Sequence, residues 1–126
     1  MTLDLIVHTT EFLHSETGKT ELAIINEIHD YIEKQKTLHP QRKEKTSVRE
    51  YLIREIQKMH NGNKIKHLGN VLKYVQSETK QTYLEAIIDI QNYIDHHQNQ
   101  HPHRSEMGIV NQYIIDIINK KINEEK

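Results

Sequence analysis

The sequence predicts an all-α protein, a tandem duplication of a three-helix unit of about 62 residues packed as a single six-helix bundle. Three observations lead there. Four Gly and two Pro in 126 residues are too few for the hairpins and corners of a β-sandwich or barrel. Sliding the chain by 62 positions without a gap makes 20 of 64 aligned pairs identical. The apolar positions common to both copies recur three or four residues apart, which places them on one face of a helix.

The first helix is predicted over 2–14, with its counterpart over 64–76, from the apolar pairs Leu3/Ile65, Ile6/Leu68, Phe12/Tyr74 and Leu13/Val75. The triplets Ser15-Glu16-Thr17 and Ser77-Glu78-Thr79 follow. The second helix is predicted over 18–38 and 80–100. Its shared apolar positions are Leu22/Leu84, Ile25/Ile87, Ile28/Ile90, Tyr31/Tyr93 and Ile32/Ile94, which are expected to face the core. Pro40 and Pro102 disfavour helical geometry at the preceding histidines and end this helix in each copy.

The third helix is predicted over 47–60 and 107–124, from Val48/Val110, Tyr51/Tyr113, Leu52/Ile114, Ile53/Ile115 and Ile56/Ile118. Ser47 with Glu50 has the spacing of a capping box, and Ser105 is expected to cap the corresponding helix. A β-branched run such as Ile114-Ile115-Asp116-Ile117-Ile118 favours a strand by propensity, but the shared helical spacing outweighs it. Asn61-Gly62-Asn63 supplies a turn between the repeats, 1–62 and 63–126. A three-helix unit of this size is marginal alone, so the two are expected to bury their apolar faces against each other, with exchange between chains as the alternative.

Composition narrows the function. Without cysteine there are no disulfides, thiolate metal sites or cysteine nucleophiles. No apolar run approaches the ~18 residues of a membrane span, and the opening MTLDLIVHTTEF lacks a secretory pattern, so a soluble cytoplasmic protein is expected. No glycine-rich phosphate loop, nucleophile elbow or H-E-x-x-H helix is present.

Five features remain as candidate sites. The motif H-P-x-R-x-E occurs twice, as His39, Arg42, Glu44 and as His101, Arg104, Glu106. An Arg fork beside His and Glu suits a carboxylate or phosphate, while capping and helix-dipole roles account for the same residues structurally. The stretch from Lys34 to Arg49 carries Lys34, Lys36, Arg42, Lys43, Lys45 and Arg49 against Glu44 alone, a basic loop able to touch nucleic-acid phosphates. The overall pI of about 6.8 is unlike that of most nucleic-acid binders. Histidines crowd 96–103, but the first copy has only His39 there, and no metal or other cofactor is expected. Tyr31/Tyr93, Tyr51/Tyr113, Phe12 and Tyr74 are read as core-edge aromatics, or as anchors for a protein partner should a seam between the copies be exposed.

The fifth feature is Arg54 and His60, whose R-x5-H spacing over seven residues resembles the short motif of HEPN-type helical ribonucleases. That resemblance implies an Arg and a His acting on the scissile phosphate at a dimer interface. The second copy has Asp116 and Ile122 at these positions. Taken together, the sequence favours a non-enzymatic protein that binds another protein as an inhibitor, immunity-type factor or regulatory adaptor, with a homodimer possible. The alternative is a nucleic-acid-binding regulator using 34–49, and the third reading is the ribonuclease.

Overall fold

The computed structural model describes residues 2–61 and 68–124, without the side chains of Thr2, Met59, His60 and Asn61. It is all-helical: six helices and no strand occur among the described residues. They are α1 (Thr2–Thr17), α2 (Glu21–Leu38), α3 (Glu44–Asn61), α4 (Leu68–Thr79), α5 (Tyr83–Gln100) and α6 (Glu106–Glu124). None of them is long and apolar enough to cross a membrane. The predicted turn at Asn61-Gly62-Asn63 extends outside the described residues.

Local chemistry explains the helix ends. At the end of α1 the Thr17 hydroxyl donates to the Leu13 carbonyl at 2.7 Å, and the Gly18 N–H returns to the His14 carbonyl at 3.0 Å. Gly18 takes φ +76, the left-handed conformation that closes many helices. At the end of α4, Thr79 donates to Val75 at 2.7 Å and the Lys80 N–H reaches Gln76 at 3.0 Å. Lys80 adopts the same conformation, φ 64, but with a side chain. A left-handed L residue costs roughly 1–2 kcal/mol, so Lys80→Gly is expected to raise the melting temperature and Gly18→Ala to lower it. Thermal unfolding followed by circular dichroism measures both.

Three residues after α1 and α4, the next helices begin at Thr20 and Thr82. Both are extended N-caps whose side chains accept from Ala23 N and Glu85 N. Thr82 and Glu85 form a full capping box, and the N–H of Thr82 holds the Glu85 carboxyl below the usual carboxylate range.

The capping box expected at Ser47 and Glu50 does not form. α3 already begins at Glu44, so the Ser47 N–H bonds the Lys43 carbonyl at 3.2 Å inside the helix, and Ser47 is buried. Glu50 instead accepts from Arg42. Ser105 does cap α6, accepting from Gly108 N at 3.1 Å. With these starts only residues 39–43 and 101–105 separate the second and third helices of each half, fewer than the sequence implies.

One hydrophobic core contains residues from all six helices. α3 and α6 pack along each other with Val48, Leu52 and Ile56 facing Ile109, Ile114 and Ile118, all at most 1 % exposed. α1 packs on α4, on α2 and on α3; α4 packs on α5 and on α6; α2 meets α3, and α5 meets α6. The buried stripe of α2 is Ile24, Ile28 and Ile32, and that of α5 is Ala86, Ile90 and Ile94, a spacing of four along each helix. Leu22 and Leu84, expected in this stripe, are 69 % and 66 % exposed instead. They lie about 160° around the helix from the nearest buried position, two residues on.

Polar side chains also enter the interior between the halves. Arg49 of α3 donates to Glu78 of α4 at 3.0 Å, with both side chains at most 10 % exposed. Asn70 of α4 donates to buried Glu16 of α1 at 2.9 Å, and His8 of α1 lies 3.9 Å from Glu78. The two glutamates are the middle residues of the repeated Ser-Glu-Thr triplets, and each carboxylate reaches a side chain from the other half of the chain.

Candidate functional site

The two H-P-x-R-x-E segments form the turns between α2 and α3 and between α5 and α6. Pro40 and Pro102 force the preceding histidines out of helical geometry, and His39 (φ −139, ψ 79) and His101 (φ −135, ψ 74) become the C-caps. Their N–H groups bond the Gln35 and His97 carbonyls at 2.7 and 2.8 Å, while Arg42 N and Arg104 N return to the His39 and His101 carbonyls. Both imidazoles are left exposed.

Beyond the backbone the two turns differ. The Arg42 guanidinium donates from Nη1 to Gln35 Oε1 at 2.9 Å and to Glu50 Oε1 at 2.7 Å. Glu44 pairs with Lys36 at 2.8 Å. In the second turn, Gln35, Glu50 and Lys36 are replaced 62 positions on by His97, Gln112 and Gln98. Arg104 and Glu106 accordingly make no side-chain ion pair or hydrogen bond with the described residues.

Arg42 opens onto a groove of about 560 Å³ between α2, α3 and the last turns of α6. Tyr31, Gln35, Glu50, Arg54, Gln57, Asn119 and Asn123 line it, with Leu38, Ile53 and Ile122 as its apolar wall. Arg54 lies over the Tyr31 ring, 5.3 Å from its centroid, and no carboxylate pairs with it among the described residues. On the second half the position of Arg54 is held by Asp116, which accepts from the Tyr93 hydroxyl. Tyr93 in turn stacks on His97 at 4.1 Å and meets Tyr113 edge-on at 5.2 Å.

The six cations of the 34–49 stretch do not form one surface. Arg49 points inward to Glu78, Lys36 is bound to Glu44 and Arg42 to Glu50, whereas Lys34 and Lys43 are exposed and Lys45 is half-buried. Of the R-x5-H pair, Arg54 faces the groove, and the side chain of His60 lies outside the described residues. Among the described residues, no three His, Asp or Glu converge as metal ligands. Sequence reasoning missed Gln35, Glu50, Asn119 and Asn123, because only the packing of α3 against both α2 and α6 brings them to one groove.

The aromatic residues double as a pH probe. Burial raises the hydroxyls of Tyr31, Tyr51, Tyr74, Tyr93 and Tyr113 above the ordinary value of 10.0, with a neighbouring carboxylate as the second cause for the last four. A raised folded value favours the protonated fold, so this contribution is complete below pH 10 and declines as pH rises beyond it. Ultraviolet titration is expected to show these five phenols ionising late, together with unfolding. Ionisation of these five near pH 10 in a chain that stays folded contradicts the packing described.

No protein-family model matches the chain, and no curated protein and no solved structure is significantly similar to it.

Proposed function

We propose that the chain is a tandem duplication of a three-helix unit, 1–62 and 63–126, that acts without catalysis by binding another protein, as an inhibitor, immunity-type factor or regulatory adaptor. Helix placement supports the duplication: α2 and α5 have the same length and start 62 positions apart, as do the starts of α3 and α6. The set of touching helix pairs is unchanged when α1, α2 and α3 are exchanged with α4, α5 and α6. That is the pattern of two similar units related by a pseudo-two-fold axis.

The observation that carries the binding reading is the exposed apolar start of α2 and α5. Leu22 and Ile25 are 69 % and 43 % exposed, and Leu84 and Ile88 are 66 % and 48 % exposed. Residues three or four apart are neighbours on a helix face, so each helix presents an apolar pair to solvent. Leucine is retained at the same position of both halves where the core has no use for it, which suits contact with a partner. The basic 34–49 segment supports nucleic-acid binding less well, since Lys36, Arg42 and Arg49 are neutralised by carboxylates.

Affinity capture from the native host, with and without nuclease, tests this with the wild type and with Leu22→Asp combined with Leu84→Asp. The expected result is a stoichiometric protein that survives nuclease and is lost from the double variant, whose melting temperature stays within about 4 °C of wild type because surface substitutions usually change stability by at most about 0.5 kcal/mol each. Recovery of nucleic acid, with captured proteins lost on digestion, overturns the proposal.

A further inference from the structure

From the groove beside Arg42 we infer a binding site for an acidic side chain of a peptide partner, a reading that rests on the protein-binding function proposed above. Arg54 supplies the anchoring charge. It is exposed, stacked over Tyr31 and unpaired with any carboxylate among the described residues, so its planar donor fork can meet a carboxylate in bidentate geometry. Tyr31 holds the guanidinium in place from one side.

Charge selects the class of anion. Arg42 and Arg54 face the groove with Glu50, whose carboxylate already neutralises Arg42 at 2.7 Å. Among the arginines and the carboxylate of the groove, which His39 also lines, one net positive charge therefore remains, which matches a single carboxylate and disfavours a phosphate dianion near Glu50. The rest of the wall suits a peptide. Gln57, Asn119 and Asn123 offer amides able both to donate to and to accept from a peptide backbone, and Leu38, 60 % exposed, adds an apolar shoulder. At about 560 Å³ the groove has room for a few residues of extended chain. The equivalent place in the second half does not repeat the site, because Asp116 stands where Arg54 does and an acidic group there repels the same ligand.

The test is a titration of the isotope-labelled full-length protein, followed by nuclear magnetic resonance, with three probes: acetyl-Gly-Glu-Gly-amide, acetyl-Gly-Gln-Gly-amide and inorganic phosphate. The glutamate peptide is expected to shift the Arg54 side-chain N–H and the side-chain amides of Gln57, Asn119 and Asn123. The glutamine peptide is expected to bind at least tenfold more weakly, and Arg54→Glu to abolish the shifts while keeping the wild-type melting temperature. Equal binding of the two peptides, tighter binding of phosphate, or shifts that persist in Arg54→Glu overturn the assignment. Capture separates the two readings: a protein partner kept by Arg54→Glu but lost by Leu22→Asp with Leu84→Asp overturns the groove and leaves the protein-binding function standing.

Discussion

Replacing Arg49 by Ala is expected to destabilise the protein by about 3–5 kcal/mol, the usual cost of breaking a buried ion pair and leaving its partner in the interior. Arg49 and Glu78 are 3.0 Å apart with side chains 8 % and 10 % exposed, and the His8 ring lies 3.9 Å from the same Glu78 carboxylate. The bond joins α3 to α4, so its loss loosens the contact between the halves rather than one helix end. Removing both charges together tells a different story. Arg49→Met with Glu78→Met is expected to cost much less than the sum of the single changes, since well-packed apolar residues often replace a buried pair at little cost. Denaturant unfolding of the four proteins in the cycle measures the coupling. Additive losses contradict a direct interaction between the two side chains.

The second large effect concerns the seam between α3 and α6. Leu52→Ala and Ile114→Ala each remove a side chain that is 0 % exposed, and each is expected to cost about 2–5 kcal/mol, a fall in melting temperature on the order of 10 °C. Leu52 and Ile114 stand 62 positions apart and occupy matching places on the two helices. The two losses are therefore expected to agree to within about 2 kcal/mol, a spread set by how far each site can collapse. A loss confined to one of them, measured by calorimetry, argues that the halves contribute unequally to the core.

Much of the helical order was legible in the sequence, and the physical reasons differ between elements. Pro40 and Pro102 stop α2 and α5 at Leu38 and Gln100 because a proline acts on its neighbour's backbone wherever it stands. Ser47 misled because a hydroxyl three residues before a glutamate marks a helix start only when the chain upstream is not already helical. Here Glu44 begins α3 a turn earlier.

The exposed leucines show a different limit. Identity between the halves does not say which way a side chain faces, so Leu22 and Leu84 read as core from the pattern, while Ile24 and Ala86, which are not identical, are buried. The interior polar pairs were half visible. Glu16 and Glu78 stand out in the repeated triplets, but their partners Asn70 and Arg49 carry no repeated signal, and only the packing of the halves brings them together. The groove left still less trace, since α2 and α3 meet there the last turns of α6, which lie far along the chain.

Central to the proposed duplication is that both halves share one cooperative core. Native-state hydrogen exchange of the full-length protein tests it most directly, by comparing the slowest amides around Leu52 in α3 with those around Ile114 in α6. A shared core predicts that both sets exchange through one global opening with the same free energy and the same denaturant dependence. Two separate openings, with one half exchanging while the other stays protected, contradict it.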